Sequence, residues 1–191
     1  MSYTGNFVKA KGQNCTINRS VPVNTKVSIK RSTKSSRDLG SREAYWEGLI
    51  LADAGLLSGD VVTIAAEKYL VQSVNLDPAS MEHAFFAAKC NVILQHKRFV
   101  ETTDANNNVI QEWQTINADV PSYAEVVTYA LRQFDPGLLE QTRYIIQVSK
   151  SIGAVMLDRF VLGEDKFQVV SQNNAGLQGI SILQLGIDTR P

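Results

Sequence analysis

Residues 60–74, DVVTIAAEKYLVQSV, consist of two apolar runs separated by the charged residues Glu67 and Lys68. β-Branched and aromatic residues on both sides of a short polar break predict a β-hairpin. The pattern returns 98 positions later, without a gap, at residues 158–172, DRFVLGEDKFQVVSQ. The aligned pairs are Asp60 with Asp158, Val62 with Phe160, Ile64 with Leu162, Glu67 and Lys68 with Asp165 and Lys166, Tyr69 with Phe167, Val71 with Val169, and Ser73 with Ser171.

The repeated hairpin predicts a mainly β chain of two small barrel-like or sandwich-like modules, with long loops and one short helix. Small antiparallel sheets must close or stack to bury their apolar faces. We place the first module at residues 1–100 and the second at 101–191. The alternative is one continuous sandwich in which the repeat is a coincidence, because apolar positions match readily between any two strands.

Several local patterns refine this expectation. We predict edge segments and strands before residue 30, and a strand or short helical turn at residues 44–52, where Gly48 disfavours both. Alternation through Cys90, Val92 and Leu94 predicts a strand over residues 84–95. Residues 122–134 fit a strand or a capped helix, and we favour the strand. At residues 135–140 we predict a short helix capped by Asp135.

A basic stretch, KRSTKSSRDLGSRE at residues 30–43, interrupts the apolar pattern. Its content of Ser, Thr and basic residues predicts an exposed, mobile loop that contacts DNA phosphates or an acidic partner. The alternative is a solvated surface loop without a binding function, since blocks of like charge often have no partner. The candidate contact residues, including one that precedes the loop, are Lys26, Lys30, Arg31, Lys34, Arg37 and Arg42.

A second projecting feature is predicted at residues 100–113. Residues 100–103 and 109–113 flank DANNN at 104–108, and Asn and Asp tolerate the backbone conformations of hairpin tips. We select as interface candidates the residues of this hairpin and the aromatic pair after the basic loop, namely Asn106, Asn107, Trp113, Tyr45 and Trp46. The aromatic pair fits anchoring into the core equally well.

The overall composition is that of an ordinary globular protein, 44% hydrophobic and 20% charged over 191 residues. Lys plus Arg equals Asp plus Glu, so no global field favours nucleic acid or a membrane. We find neither a bilayer-spanning apolar window nor the apolar core of a signal peptide, and expect a cytosolic product. Cys15 and Cys90 are then expected to be reduced and buried.

No pattern in the sequence indicates catalysis or a bound cofactor. GxSxG, HExxH, CxxC, P-loop and calcium-loop signatures are all missing, so we predict neither an enzyme, a metal nor a cofactor. The histidines lie at His83, in a polar context, and at His96, which we place at a strand end. We interpret both as surface residues, because no partner group lies at a recognisable spacing.

Three segments resemble structural proteins of tailed bacteriophages: KVSIKRSTKSSRDLGSREAYWEGLILADAGLLSGDVVTI, then KYLVQSV and FFAAKCNVILQHKR. The ending DKFQVVSQNNAGLQGISILQLGID looks like the last strands of small β-barrel proteins of the head-to-tail connector. This resemblance implies a head-closure (stopper) protein, a homo-oligomeric ring beneath the portal and its adaptor that seals packaged DNA and docks the tail. The chain is longer than a single-barrel stopper, which a duplicated barrel would explain.

The expected function is therefore that of a virion structural protein, assembled in the host cytoplasm. Its expected partners are further copies of itself, portal, adaptor and tail proteins, with possible non-specific contact to packaged DNA and none to membrane. A tail terminator or minor capsid protein of similar β build is the alternative. A small β-barrel hydrolase or nuclease with a dispersed site is a third hypothesis, which the scarcity of His and of grouped carboxylates disfavours.

Overall fold

The computed structural model describes residues 3–32, 44–77, 82–103 and 107–191. In this part of the chain the protein is mainly β, with two six-stranded closed barrels and two short helices. The prediction of two small β-barrel modules is thus confirmed. Described residues up to Asn91, together with Ala175–Ile180, form one compact unit, and the remaining described residues from Val92 onward form the second.

The first barrel follows helix α1 (Tyr3–Lys11) and has the strand order β1-β2-β3-β6-β5-β4, with β4 closing on β1. All of its neighbouring strands are antiparallel. Its interior is filled by apolar side chains such as Ile17, Val62 and Phe85. The strands are β1 (Gln13–Asn18), β2 (Val23–Arg31), β3 (Tyr45–Ile50), β4 (Val61–Ile64), β5 (Glu67–Asp77) and β6 (Glu82–Lys89).

The second barrel has the order β7-β8-β9-β12-β11-β10, with β10 closing on β7, so each strand has a counterpart in the first barrel. Helix α2 (Tyr129–Phe134) lies between β8 and β9. The interior contains Leu94, Phe160 and Leu183. The strands are β7 (Val92–Thr103), β8 (Val109–Val126), β9 (Thr142–Ser149), β10 (Arg159–Leu162), β11 (Asp165–Asn173) and β12 (Ile180–Ile187).

The two predicted hairpins are β4–β5 and β10–β11, and their irregular features repeat along with their apolar ones. Each second strand carries a bulge at the same place, between Val71 and Ser73 and between Val169 and Ser171. Each hairpin is preceded by a 3₁₀ turn that ends in a left-handed glycine, Gly55 or Gly153. Bulges and left-handed residues are specific features of a backbone, so coincidental alternation does not account for them.

Two predictions near the amino terminus and the β6–β7 junction are wrong. Residues 3–11 form helix α1, whose Val8 is fully buried, in place of the predicted edge segment, whereas the strands predicted before residue 30 are present as β1 and β2. The strand predicted over residues 84–95 is two strands, because Cys90 and Asn91 separate β6 from β7. Both cysteines are free, with Cys15 buried and Cys90 half-buried, and burial raises the pKa of the Cys15 thiol to about 11 and that of Cys90 to about 12.

The segment after residue 121 also differs from the prediction. Strand β8 continues only to Val126. Thr128 then caps the N-terminus of α2, because its Oγ1 accepts a hydrogen bond from the Leu131 backbone nitrogen at 3.2 Å. Asp135 does not begin the helix predicted at residues 135–140. It is instead the C-terminal cap of α2, and its Oδ1 accepts from the Gly137 nitrogen at 2.9 Å and closes a turn. Such local bonds from Asp side chains compete with the helical backbone pattern.

Candidate functional site

The basic stretch is divided between a strand and residues outside the described part of the chain. Lys30 and Arg31 end strand β2, which also carries Lys26, so the predicted loop does not begin at residue 30. Val27 between them is fully buried, and this burial keeps β2 in the barrel despite its charge. The other three basic candidates, Lys34, Arg37 and Arg42, lie outside the described residues.

The described lysines lie on the outer surface of the first barrel. Lys26 Nζ donates to the Lys9 carbonyl at 2.6 Å and so ties the end of α1 to β2. Lys30 Nζ lies 3.3 Å from Glu47 Oε1 on β3, although its side chain remains 78% exposed. Beside Lys30 an open groove of about 550 Å³ runs over the neighbouring strands, lined in part by Leu49 and Phe86.

The aromatic candidates after the basic stretch pack within the first barrel. Both lie on β3, where Tyr45 stacks on Phe86 with ring centres 5.4 Å apart. Trp46 meets the ring of Tyr69 edge-on at 5.6 Å and packs against the core. Its buried Nε1 has no hydrogen-bond partner among the described residues. Most of the Trp46 side chain therefore packs into the first barrel.

The predicted hairpin at residues 100–113 is the outer part of the β7–β8 ribbon, which pairs up to Thr103 opposite Val109. Strand β10 pairs with β7 only as far as Lys97, and β9 pairs with β8 only from Tyr123 onward. Residues 98–103 and 109–119 therefore form a two-stranded ribbon with no further described strand at either edge; we call it the arm. Asn107 is exposed with φ +64°, and Asn106 lies outside the described residues.

Trp113 anchors the base of the arm. Its ring packs on Phe99 across the ribbon, with centres 5.2 Å apart. The Arg159 guanidinium lies 3.6 Å from the ring centre and that of Arg190 4.9 Å, both within the range of cation–π attraction. The indole Nε1 also donates to the Pro191 carbonyl at 2.9 Å. Trp113, which we selected as an interface candidate, therefore uses its ring face to hold the arm against the second barrel.

The arm exposes apolar side chains that a folded surface ordinarily covers. Phe99 is 44% exposed, Val109 68%, Ile110 44% and Ile116 42%. Its two glutamates are bonded to neutral groups, since Glu101 Oε1 accepts from Gln111 Nε2, and Glu112 Oε1 from Gln114 Nε2 at 2.9 Å. A two-stranded ribbon is marginally stable alone in water. The arm therefore has the character of a docking element.

Sequence reasoning missed an arginine–aspartate pair that recurs in both barrels. In the first barrel Arg19 binds both carboxylate oxygens of Asp60 and donates to the Gly55 carbonyl at 2.8 Å. In the second barrel Arg98 binds Asp158 at 2.8 Å through each of two nitrogens and donates to the Gly153 carbonyl at 2.7 Å. Asp60 and Asp158 do align in the repeat, but nothing in the sequence singles out their arginines.

The second barrel adds a buried histidine to this pair. His96 is 0% exposed, which overturns its interpretation as a surface residue. Its Nε2 lies 2.8 Å from Asp158 Oδ2, its Nδ1 lies 3.0 Å from Asn117 Nδ2, and its ring stacks on Phe160. The sequence did contain a signal for this burial, because the alternation that places Val92 and Leu94 on the inner face of the strand also places His96 there. His83, also predicted at the surface, lies on β6 with a buried Nδ1.

Two aspartates of the second barrel are held in their charged form. Burial opposes ionisation of Asp158, but bonds from Arg98, the Val155 nitrogen and His96 outweigh it and lower its pKa. Burial likewise opposes ionisation of Asp188, yet Arg190 and Arg159 lower its pKa to about 2. Both carboxylates are almost fully enclosed, so they bind cations of the protein itself. Neither is placed to receive a substrate.

No protein-family model matches the chain, and no curated protein matches its sequence. Within the described ranges, no three His, Cys, Asp or Glu residues gather as metal ligands. Neither described helix has the length and apolarity needed to cross a membrane. Any functional assignment therefore depends on the surfaces of the two barrels and on the arm.

Proposed function

We propose that this chain is a structural protein of a tailed-phage virion at the head–tail interface, where it forms a ring that closes the filled head and docks the tail. The observation that carries the proposal is the arm, a ribbon with no further described strand at either edge, which presents Phe99, Val109 and Ile110 to solvent. A free edge and apolar side chains together suit β-strand addition and apolar docking. An assembly part requires such an element.

The barrels supply the rigid support that such a part needs. Each described interior is a continuous apolar cluster, centred on residues such as Ile17 in the first barrel and Phe160 in the second. The pair of the general acid–base type, His96 and Asp158, is 0% and 2% exposed. Because a catalytic base must reach its substrate, this pair supports a structural interpretation of the second barrel over the hydrolase alternative.

The proposal is tested by removing the chain from assembling particles. If the chain closes heads, phage particles assembled without it should accumulate as heads that lose DNA and as separate, finished tails. Adding the purified chain should restore joining, and native mass measurement with portal or tail extract should show a ring. A tail terminator would instead leave tails of uncontrolled length. Infectious particles of normal form would overturn the proposal.

The basic candidates provide a second readout of the same role. Replacing Lys30, Arg31, Lys34 and Arg37 with Ser should impair joining while the far-UV circular dichroism of the purified chain stays unchanged. The control replaces Lys150 and Lys166, two exposed lysines of the second barrel, with Ser, and is compared with the variant that replaces Lys30 and Arg31 alone. Normal joining by the fourfold variant would show that the basic stretch is only solvated.

A further inference from the structure

The charges of this chain are segregated although their sum is zero. No Asp or Glu precedes Asp38, and every charged side chain before it is basic. No Lys or Arg lies between Phe99 and Leu131, and every charged side chain in that interval is acidic. The basic residues are Lys9, Lys11, Arg19, Lys26, Lys30, Arg31, Lys34 and Arg37; the acidic ones are Glu101, Asp104, Glu112, Asp119 and Glu125.

The structure gathers part of the basic set on one surface of the first barrel. Lys9 and Lys11 are exposed at the end of α1, and the Lys26–Lys9 bond joins that end to β2. Lys26 and Lys30 lie on the outer face of β2, about 13 Å apart at the rise of a strand. We call these four lysines and the groove beside Lys30 the basic face.

The acidic residues that the structure describes, Glu101, Glu112, Asp119 and Glu125, lie on the arm and on the strand that continues from it. Glu101 is on β7 and Glu112 on β8, and both are exposed. They lie on opposite faces of the ribbon, because Glu101 pairs with Gln111 and side chains alternate along a strand. Between and beside them are the exposed apolar residues Phe99 and Ile110. The arm thus combines apolar side chains with negative charge.

We propose that the arm of one copy docks on the basic face of a second copy. The occupant follows from charge complementarity, since the basic face offers lysines that Glu101 and Glu112 lack within the ribbon. Glu47 beside Lys30 offsets one of these charges, but Lys30 remains 78% exposed and Lys9 and Lys11 are exposed as well. It follows also from the groove beside Lys30, where Leu49 and Phe86 offer apolar surface to side chains such as Ile110. Complementary charges of this kind set register and partner choice.

Such a contact is heterologous, because the surface that each copy gives differs from the surface that it receives. Repeated heterologous contacts close into rings or propagate as filaments, according to the rotation between copies. The inference rests on the proposed function for its setting, since a ring is what that function requires. The contact itself is a property of the purified chain and can be measured without a virion.

Charge reversal on each surface tests the contact. In the arm variant E101K/E112K the two reversed side chains meet a basic face. In the face variant K9E/K30E the acidic arm meets a face on which two of the four lysines are replaced by glutamate, so its net positive charge is lost. Each variant alone should associate about tenfold or more weakly than the wild type in sedimentation velocity. Lys26 is left intact because it ties α1 to β2.

Mixing the two variants should restore association. The reversed arm of one variant then meets the introduced glutamates of the other, and the unchanged acidic arm of the second meets the unchanged basic face of the first. The four-residue variant E101K/E112K/K9E/K30E should associate by itself. Wild-type association should weaken at high ionic strength, because exposed charges are screened beyond about 10 Å at 0.1 M salt. The controls E140K/E164K and K150E/K166E make the same net-charge changes at exposed positions outside both surfaces.

Three outcomes overturn the inference: a wild-type chain that stays monomeric up to millimolar concentration, single variants that associate normally, or a mixture that fails to recover. A face variant that associates normally but loses binding to a duplex DNA fragment would assign the basic face to DNA instead. Failure of the proposed function looks different. Arm-dependent association together with normal particles assembled without the chain would overturn the virion role and leave the contact standing.

Discussion

His96 occupies in the second barrel the position that Ile17 occupies in the first. Ile17 on β1 pairs with Val62 on β4, and His96 on β7 pairs with Phe160 on β10. Both side chains are fully buried. The first barrel therefore fills this position with an aliphatic group, whereas the second fills it with an imidazole.

The cross-strand neighbours of Ile17 and His96 also differ in polarity. Ile17 lies opposite Val23, and His96 lies opposite Asn117, whose amide also donates to the Ile152 carbonyl at 3.1 Å. Polar groups are thus matched to polar groups and apolar groups to apolar ones. Replacing both partners of a buried polar pair by apolar groups of similar size is often neutral, whereas removing one partner is costly.

The variant H96I/N117V installs the pair of the first barrel but also removes the His96 bond to Asp158, which keeps its bonds from Arg98 and the Val155 nitrogen. We therefore expect its free energy of unfolding to fall by no more than about 2 kcal/mol. The reverse variant I17H has no amide opposite it and should lose about 2–3 kcal/mol, part of which V23N should recover. Urea unfolding measures these changes. A loss above about 2 kcal/mol in H96I/N117V would show that the two positions are not interchangeable.

Each barrel contains one tryptophan, so fluorescence can follow the unfolding of the two barrels separately. Trp46 packs against the first core, and Trp113 is held by Arg159 and Arg190 in the second barrel. The chain contains no other tryptophan. Fluorescence of W113F variants therefore reports the first barrel, and fluorescence of W46F variants reports the second.

The repeated arginine–aspartate pairs should differ in their contribution to stability. With its arginine in place, the Asp158 side chain is only 2% exposed, while that of Asp60 is 12% exposed, so Asp158 is the more deeply enclosed carboxylate. An uncompensated buried charge costs about 3–5 kcal/mol, and partial exposure lowers that cost. We expect R98M to lose about 3 kcal/mol from the second barrel, and R19M to lose less from the first. Equal losses in urea unfolding would contradict this expectation.

The repeat was predictable from sequence because it involves the hairpins, where alternation and turn residues are local signals. The residues that distinguish the barrels were not predictable to the same degree. Arg159 and Asp188 form a buried pair with Nε–Oδ2 at 2.7 Å, while the corresponding residues of the first barrel are Val61 and Cys90. Such pairs are separated widely along the chain, so no local spacing reveals them.

The wrong predictions have a common physical origin in weak local signals. Helix α1 buries Val8 but offers no strong apolar stripe, and its residues fit an extended segment as well. Asp135 and Pro136 resemble a helix start, yet the Asp135 side chain forms a turn with Gly137 instead. In both places tertiary contacts and side-chain bonds decide between conformations of similar local preference.

Gly48, which disfavoured a strand in the sequence, lies on β3 at a position where the packing leaves no room for a side chain. A Cβ atom at this position would lie 2.7 Å from Phe85 Cζ and 2.7 Å from the Ser28 carbonyl oxygen. We expect G48A to lose about 1–3 kcal/mol from the first barrel, because the backbone cannot yield as a flexible side chain can. G137A, in an exposed turn, is the control and should change stability by less than about 0.5 kcal/mol. Unchanged unfolding of G48A would show that the close approach relaxes freely.

Asp188 should make the second barrel sensitive to acid. Its carboxylate accepts from Arg159 Nε and from Arg190 Nε at 2.7 and 2.8 Å, and its pKa is about 2 in the folded chain. The pKa of an unfolded Asp is about 3.9, so folding favours the ionised form. The resulting stabilisation of about 2 kcal/mol is complete above about pH 4 and is lost as the pH falls towards 2.

Urea unfolding at a series of pH values, followed through Trp113, should show this loss for the second barrel. The variant D188N should be less stable by about 3 kcal/mol at neutral pH, because Arg159 is then buried without a counter-charge. It should also lose less stability between pH 4 and 2, since the titrating group is gone. The first barrel, followed through Trp46, is the internal control, because Cys90 stands where the second barrel has Asp188. If the free energy of unfolding fell equally between pH 4 and pH 2 in D188N and the wild type, the loss would be due to other carboxylates.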